Sequence, residues 1–200
     1  MHTTFLIDGF NFYHSIATLR HQLRWFDYDG YCRHFMRTSD TLKSITYFSA
    51  FATWMPDRSA RHKVFVEACE AKGVRIVLGK FKEKNAPCPY CKRNILRHEE
   101  KATDVNIALH AYRLAAEPGT EQIVFVSGDT DLIPAVRMIK QDFPHVVVGA
   151  VFPHRRDTRE FAREVHFHHK TSTDVLDRFI LPTIMTKPNG KTITCPHEWR

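Results

Sequence analysis

Two rhythms of apolar and polar positions run along the chain. TTFLID (3–8), LKSITYFSAFA (42–52), VRIVLGKFK (74–82), QIVFVS (122–127) and HVVVGAVF (145–152) are short, nearly continuous apolar runs. Such runs predict strands buried on both faces. Between them the spacing lengthens to that of a helix. GFNFYHSIATLR (9–20) carries Phe10, Tyr13, Ile16, Ala17 and Leu19 near helical spacing. Pro56 opens a second helical segment, with Asp57 or Ser59 as caps, a stripe of Val64, Phe65, Ala68 and Ala71, and Gly73 as its stop. Lys101–Ala116 predicts a third helix through Val105, Ala108, Leu109, Tyr112 and Ala115, and Leu132–Gln141 a fourth. RDTREFARE (156–164) reads as a short helix before the strand-like VHFHH. Strands alternating with helices predict an α/β fold, with a mostly parallel sheet covered on both faces. Residues 83–100 break the rhythm, and from about residue 180 the prolines at 182, 188 and 196 predict an extended tail or hairpin.

Carboxylates stand where these strands end. Asp8 closes the first, and Ser127-Gly128-Asp129-Thr130-Asp131 follows a later one. In open α/β sheets the ligand crevice lies beyond the carboxyl ends of the strands. If the two strands are neighbours, Asp8, Asp129 and Asp131 share that crevice, and Asp104 joins from the first turns of the third helix. Clustered carboxylates repel one another and need a counter-charge. A hard cation such as Mg²⁺ or Mn²⁺ supplies it, and it can activate water and stabilise a phosphodiester transition state. The plainer alternative is that Asp131 caps a helix and Asp129 shapes a turn with Gly128.

Composition narrows the class. The chain has 200 residues with 29 Lys and Arg against 22 Asp and Glu, a formal charge of +7. That excess favours an anionic partner, with nucleic acid first, although many basic proteins are merely soluble. No uncharged apolar run approaches the ~18 residues of a membrane helix. MHTTFLIDGF lacks a basic n-region and is broken by Asp8, so it reads as structure rather than a signal peptide, which favours the cytoplasm.

Three blocks carry a resemblance. LIDGFNFYH (6–14), EEKATDVNIALHAY (99–112) and VSGDTDLIPAV (126–136) resemble, in order and spacing, the signature blocks of NYN domains of the PIN-like nuclease superfamily, of the bacterial LabA/DUF88-like kind. KPNGKTITCPHEW resembles the C-terminal segment of bacterial members. The resemblance implies a three-layer α/β/α PIN-like fold over residues 3–170, with a Cys-containing loop insertion at 83–100. Residues 171–200 would form a C-terminal helix and tail packing on that domain. It implies metal-dependent RNA cleavage. Asp8, Asp104, Asp129 and Asp131 would form the acidic cluster, with Asp8 and Asp129 foremost in metal contact. Asn11 would orient a ligand water or the scissile phosphate, or simply cap its helix. Ser127 and Thr130 would bond phosphate or the acids. Lys101 would neutralise transition-state charge, or stand as a solvated helix-start lysine. The middle block departs from many relatives at Ala102-Thr103, where they carry Gly-Val, and at His110, where they often carry a further Asp. The first departure is expected to be benign; the second removes an outer acid.

Cys88 and Cys91 form a C-x₂-C knuckle among prolines and basic residues. The spacing suits a structural Zn²⁺, with His98 or the pair Cys195 and His197 as further ligands, or two reduced thiols. Lys80, Lys82, Lys84, Lys92, Arg93 and Arg97 surround the knuckle, and Arg155 and Arg156 follow a late strand. Strand-end loops rim the crevice, so Lys82 and Arg93 are candidates to track an RNA backbone, with Phe81 and Tyr90 stacking on bases. The leading expectation is a metal-dependent endoribonuclease. A regulatory RNA-binding module with little catalysis is the alternative, and a homo-oligomer or protein partner fits either. A hydroxylase-type oxidoreductase ranks third, because no G-x-G-x-x-G follows the first strand.

Overall fold

In the computed structural model, which describes residues 1–87, 90–187 and 189–200, the apolar runs assemble into one six-stranded sheet. Its strands are β1 (His2–Asp8), β2 (Thr41–Ser49), β3 (Arg75–Leu78), β6 (Gln122–Val126), β7 (Val147–Phe152) and β8 (Phe167–Lys170), in the order β3-β2-β1-β6-β7-β8. Every pairing is parallel. Two-residue periodicity divides the side chains between the faces. From β1, Phe5 and Ile7 enter one core with Val124, Val126, Ile45 and Tyr47. Leu6 enters the other with Phe125, Ile123, Val148 and Phe48.

Helices close both faces, giving a three-layer α/β/α fold. The helices are α1 (Gly9–Ile16), α2 (Tyr28–His34) and α3 (Pro56–Ala71), then α4 (Thr103–Ala116), α5 (Ile133–Asp142), α6 (Arg159–Glu164) and α7 (Thr173–Leu176). Phe12 and Ile16 of α1, Tyr28 and Tyr31 of α2, and Phe65 and Ala68 of α3 cover the first face. Ile107 and Ala111 of α4, Ile133 and Val136 of α5, and Phe161 of α6 cover the second. Leu176, Leu181, Ile193 and Cys195 of the C-terminal stretch lie in the first core. That stretch carries the small hairpin β9 (Ile184–Thr186) and β10 (Thr192–Thr194). Trp25 ties to it by donating from Nε1 to the Pro182 carbonyl at 2.9 Å. Among the described residues no helix is long and apolar enough to cross a membrane.

Several local expectations change. The run at 74–82 is two strands: Gly79 separates β3 from β4 (Lys80–Pro87), which turns out of the sheet to pair with β5 (Asn94–Lys101). The irregular segment expected at 83–100 is thus largely an antiparallel hairpin, its alternation masked by charge. Lys101 ends β5, and the helix starts two residues later at Thr103. Neither Asp57 nor Ser59 caps α3, whose first turn holds Pro56 instead. The short α2, absent from the periodicity reading, is capped by Asp27, which accepts from the Gly30 N–H at 3.2 Å. Gly73 terminates α3 as expected, with φ of 81°.

Candidate metal centre

The order of the strands fixes where the acids meet. From β1 the chain winds outward through β2 and β3, then returns to β6 on the other side of β1. β1 and β6 are therefore neighbours, and the connections diverge there. Crevices in parallel sheets form at such a reversal. Asp8 is the last residue of β1, and Asp129 follows β6 by three residues. Asp104 enters from the first turn of α4.

Hydrogen bonds lock the two loops together. Asp8 caps α1, accepting from the Asn11 N–H at 2.9 Å through Oδ1. Its Oδ2 accepts from the Ser127 hydroxyl at 2.9 Å. Ser127 Oγ in turn accepts from the Asp129 N–H at 3.1 Å. Asn11 reaches across, its Oδ1 accepting from the Gly128 N–H at 3.1 Å. Asn11 thus neither caps its helix through its side chain nor stands apart from the cluster. It clamps the β6 loop to the β1 loop. Asp129 Oδ1 accepts from the Asp131 N–H at 3.0 Å and starts the 3₁₀ turn at Thr130–Leu132. Gly128 is required here because a Cβ would fall 1.7 Å from the Arg156 carbonyl oxygen. That contact brings the loop after β7, with Arg155 at φ of 57°, against the acids.

Asp8, Asp104 and Asp129 each present a carboxylate oxygen, and these oxygens all lie within 4.8 Å of one another. Asp8 is buried, at 3% exposure, and the other two are half-buried. Burial is the main force raising the Asp8 carboxyl, with Asp129 adding to it; the bonds from Asn11 and Ser127 pull the other way. Burial, then repulsion from Asp8, Asp129, Glu100 and Asp131, lifts Asp104 to about 6. Three crowded oxygens, two of them on carboxyls that resist ionisation, are the donor set a hard divalent cation relieves.

The acids open onto a cleft of about 740 Å³, which Phe10, Trp54, Phe81 and His98 also line. Phe10 meets Phe81 edge-on, Phe81 meets Trp54 edge-on, and Trp54 stacks on His98 at 3.7 Å between centroids. Arg58 and Arg156 line the same cleft. Burial holds His62, on its floor, down to about 4, so it is neutral at physiological pH.

The other expected residues fall in different places. Asp131 is exposed and outside the three-acid group. Ser127 is buried and spends its hydroxyl on the acids. Thr130 is half-buried in the 3₁₀ turn. Lys101 bonds Glu99 at 2.8 Å, and neither it nor Lys82 nor Arg93 lines the cleft. His110 donates from Nδ1 to the Asn106 carbonyl of its own helix at 2.8 Å, and lies edge-on to Phe48. Cys88 lies outside the described residues. Cys91 is exposed, Cys195 is buried in the core, and among the described residues these thiols and nearby histidines do not gather into a metal-ligating group. Composition alone hid Trp54 and Glu100. The latter accepts from the Thr103 N–H at 3.1 Å and so sets the start of α4 behind Asp104.

Comparison with known proteins accords with this geometry. The family model for the NYN domain matches residues 2–175. The chain is 30% identical over 106 residues to 6-hydroxy-3-succinoylpyridine 3-monooxygenase HspA of Pseudomonas putida. That match takes in 50% of this chain and 33% of the relative, so the chain spans about a third of the relative's length. In fold it is similar to a protein of unknown function from Vibrio parahaemolyticus, with a TM-score of 0.59 at 17% identity, over 90% of this chain and 95% of that one. The chain belongs to the NYN domain family, a nuclease-type family, and three of its acids are placed to hold a divalent metal ion.

Proposed function

We propose that the protein is a metal-dependent endoribonuclease that hydrolyses phosphodiester bonds in its cleft. The observation that carries this reading is the convergence of Asp8, Asp104 and Asp129 within 4.8 Å at the sheet's reversal point in an NYN-family chain. Asp8, Asp104 and Asp129 would hold Mg²⁺ or Mn²⁺, with exposed Asp131 at the rim. When bound, the cation supplies an activated water and charge stabilisation at the phosphate. Asn11 and Ser127 keep the two acid loops in register, so the ligands are set before substrate arrives. Arg156, which lines the same cleft, would offset charge on the phosphate oxygens. Phe10, Phe81 and Trp54 give unpaired bases an aromatic wall. Residues 3–170 form the catalytic unit in this reading, and 171–200 brace it from the α1–α3 side.

Labelled RNA incubated with Mg²⁺, Mn²⁺ or EDTA tests the assignment. Cleavage is expected with metal and absent with EDTA. Asp129→Asn is expected to lower it by more than about a hundredfold, since even outer partners of metal ligands contribute about 10- to 100-fold. Undiminished cleavage by folded Asp129→Asn defeats the assignment.

One observation favours a second reading: the relative from Pseudomonas putida is a monooxygenase by name, and its similarity is 30% over 106 residues. A cleft walled by aromatic side chains also suits a small aromatic acid. This reading requires oxygen consumption dependent on 6-hydroxy-3-succinoylpyridine and a reductant. RNA cleavage without such consumption removes it.

A further inference from the structure

The cleft uses one face of the β4–β5 hairpin and leaves the other unassigned. Cross-strand partners in an antiparallel pair share a face, and alternate residues take opposite faces. The register therefore sorts the hairpin in two. Phe81, Glu83, Asn85 and Pro87 share a face with Glu100, His98, Leu96 and Asn94. This is the face that leans on Trp54 and enters the cleft through Phe81, His98 and Glu100. It carries no Lys or Arg. The opposite face carries Lys80, Lys82 and Lys84 beside Lys101, Glu99 and Arg97. All five of those cations are exposed, and none lines the cleft.

The outer face concentrates like charge in a costly way. Lys80 stands opposite Lys101, and Lys84 opposite Arg97. Directly opposed like charges destabilise a strand pair, and a two-stranded hairpin has little stability to spare. One carboxylate, Glu99, lies among them, 3.1 Å from Lys84 and 2.8 Å from Lys101. Among the described residues no carboxylate lies within ion-pair distance of Lys80, Lys82 or Arg97. Lysines placed for solubility alone would spread over both faces. Lys80, Lys82 and Lys84 instead form a straight row, spaced about 6.6 Å apart by the strand rise.

We propose that this outer face is a docking strip for the phosphate backbone of RNA, separate from the cleft and independent of the metal centre. The choice of RNA as the polyanion rests on the proposed function. The hairpin then works from both sides: its inner face walls the cleft, while its outer face holds a distal stretch of the same strand. The row of cations meets phosphates without reading bases, so the contribution is electrostatic and salt-dependent.

The test uses the full chain carrying Asp129→Asn, which stops turnover and leaves the hairpin intact. Its affinity for an unpaired RNA of about 20 nucleotides is measured by anisotropy between roughly 50 and 200 mM salt. Adding Lys80→Gln, Lys84→Gln and Arg97→Gln together is expected to reduce the slope of log affinity against log salt by about 2, at about 0.7 per lost phosphate contact. A control with Lys80→Arg, Lys84→Arg and Arg97→Lys keeps the parental slope. An unchanged slope in the Gln variant, or a loss seen with anionic lipid vesicles and not with RNA, overturns the strip. Metal-dependent cleavage of a dinucleotide, too short to leave the cleft, separates the two readings. The Gln triple in the otherwise native chain should cleave it at the native rate, and a loss there overturns a separate strip. Failure of the native chain to cleave it counts against the nuclease reading, while the salt slopes still decide the strip.

Discussion

Two charged regions of this molecule solve opposite problems. At the sheet's reversal point, carboxylates are withdrawn from water and crowded together. The loops that carry Asp8 and Asp129 are pinned by bonds that span the chain: Gly128 to Asn11, Ser127 to Asp8. On the β4–β5 hairpin, cations stand in solvent on an element whose other face meets the body through aromatic contacts with Phe10 and Trp54. Buried charge must be prearranged, because its desolvation is costly unless a partner compensates. Exposed charge needs no such prearrangement; opposed like charges on the hairpin cost some stability, which a bound polyanion would offset. A catalytic metal centre calls for the first arrangement, and a backbone-tracking surface for the second.

The sharpest way to break this contrast is at Gly128. A Cβ there would lie 1.7 Å from the Arg156 carbonyl oxygen and 2.7 Å from its carbon, backbone atoms that cannot swing aside. Gly128→Ala should cost about 3 kcal/mol of stability by chemical denaturation, the upper range for forced overpacking. A cost below about 0.5 kcal/mol would show that the loops are not locked.

Asp104 tests the electrostatic half. Its carboxyl titrates at about 6 in the folded chain, raised from 3.8 by burial and its acidic neighbours. A raised carboxyl contributes stability that is complete below the unfolded value and is lost as pH rises through the folded one. In EDTA, therefore, Asp104→Asn should melt higher than the native chain at pH 7.5. The gap should narrow as pH falls through 6 toward 4. Added Mg²⁺ should close or reverse the gap at pH 7.5 by stabilising the native chain alone. A gap independent of pH would contradict the crowding.

The smallest expected effect lies where the two regions join. Ala102 links β5 to α4 with φ of 76°, a left-handed conformation that penalises any Cβ. Ala102→Gly should stabilise the chain by about 1 kcal/mol, or about 2–4 °C in melting temperature. The departure at Ala102, expected to be benign, thus places a Cβ in a left-handed backbone position.

Much of the metal centre was legible in the sequence, for a physical reason. Strands buried on both faces announce themselves as apolar runs, and a carboxylate directly after such a run has few places to go but the crevice. Asp8 and Asp129 follow from that alone, given that β1 and β6 are neighbours. Asp104 needed only a helix start. The hairpin was not legible, because its alternation is between lysines and a mixture of Phe81, Glu83 and Asn85 rather than between apolar and polar. Lys101 was misplaced by one element for the same reason: its strand ends on charge. Nor does sequence show that the Arg156 backbone packs against the acid loop, since that proximity depends on the missing side chain of Gly128.

The reading stands or falls on whether Asp8, Asp104 and Asp129 together hold one divalent cation. Calorimetric titration of the metal-free chain with Mn²⁺ at pH 7.5, beside folded Asp129→Asn, tests it most directly. A single site is expected in the native chain, weakened by more than about tenfold in the variant, as loss of a direct ligand should exceed the least effect of an outer one. Equal Mn²⁺ binding by both proteins, or none by the native chain, would contradict it.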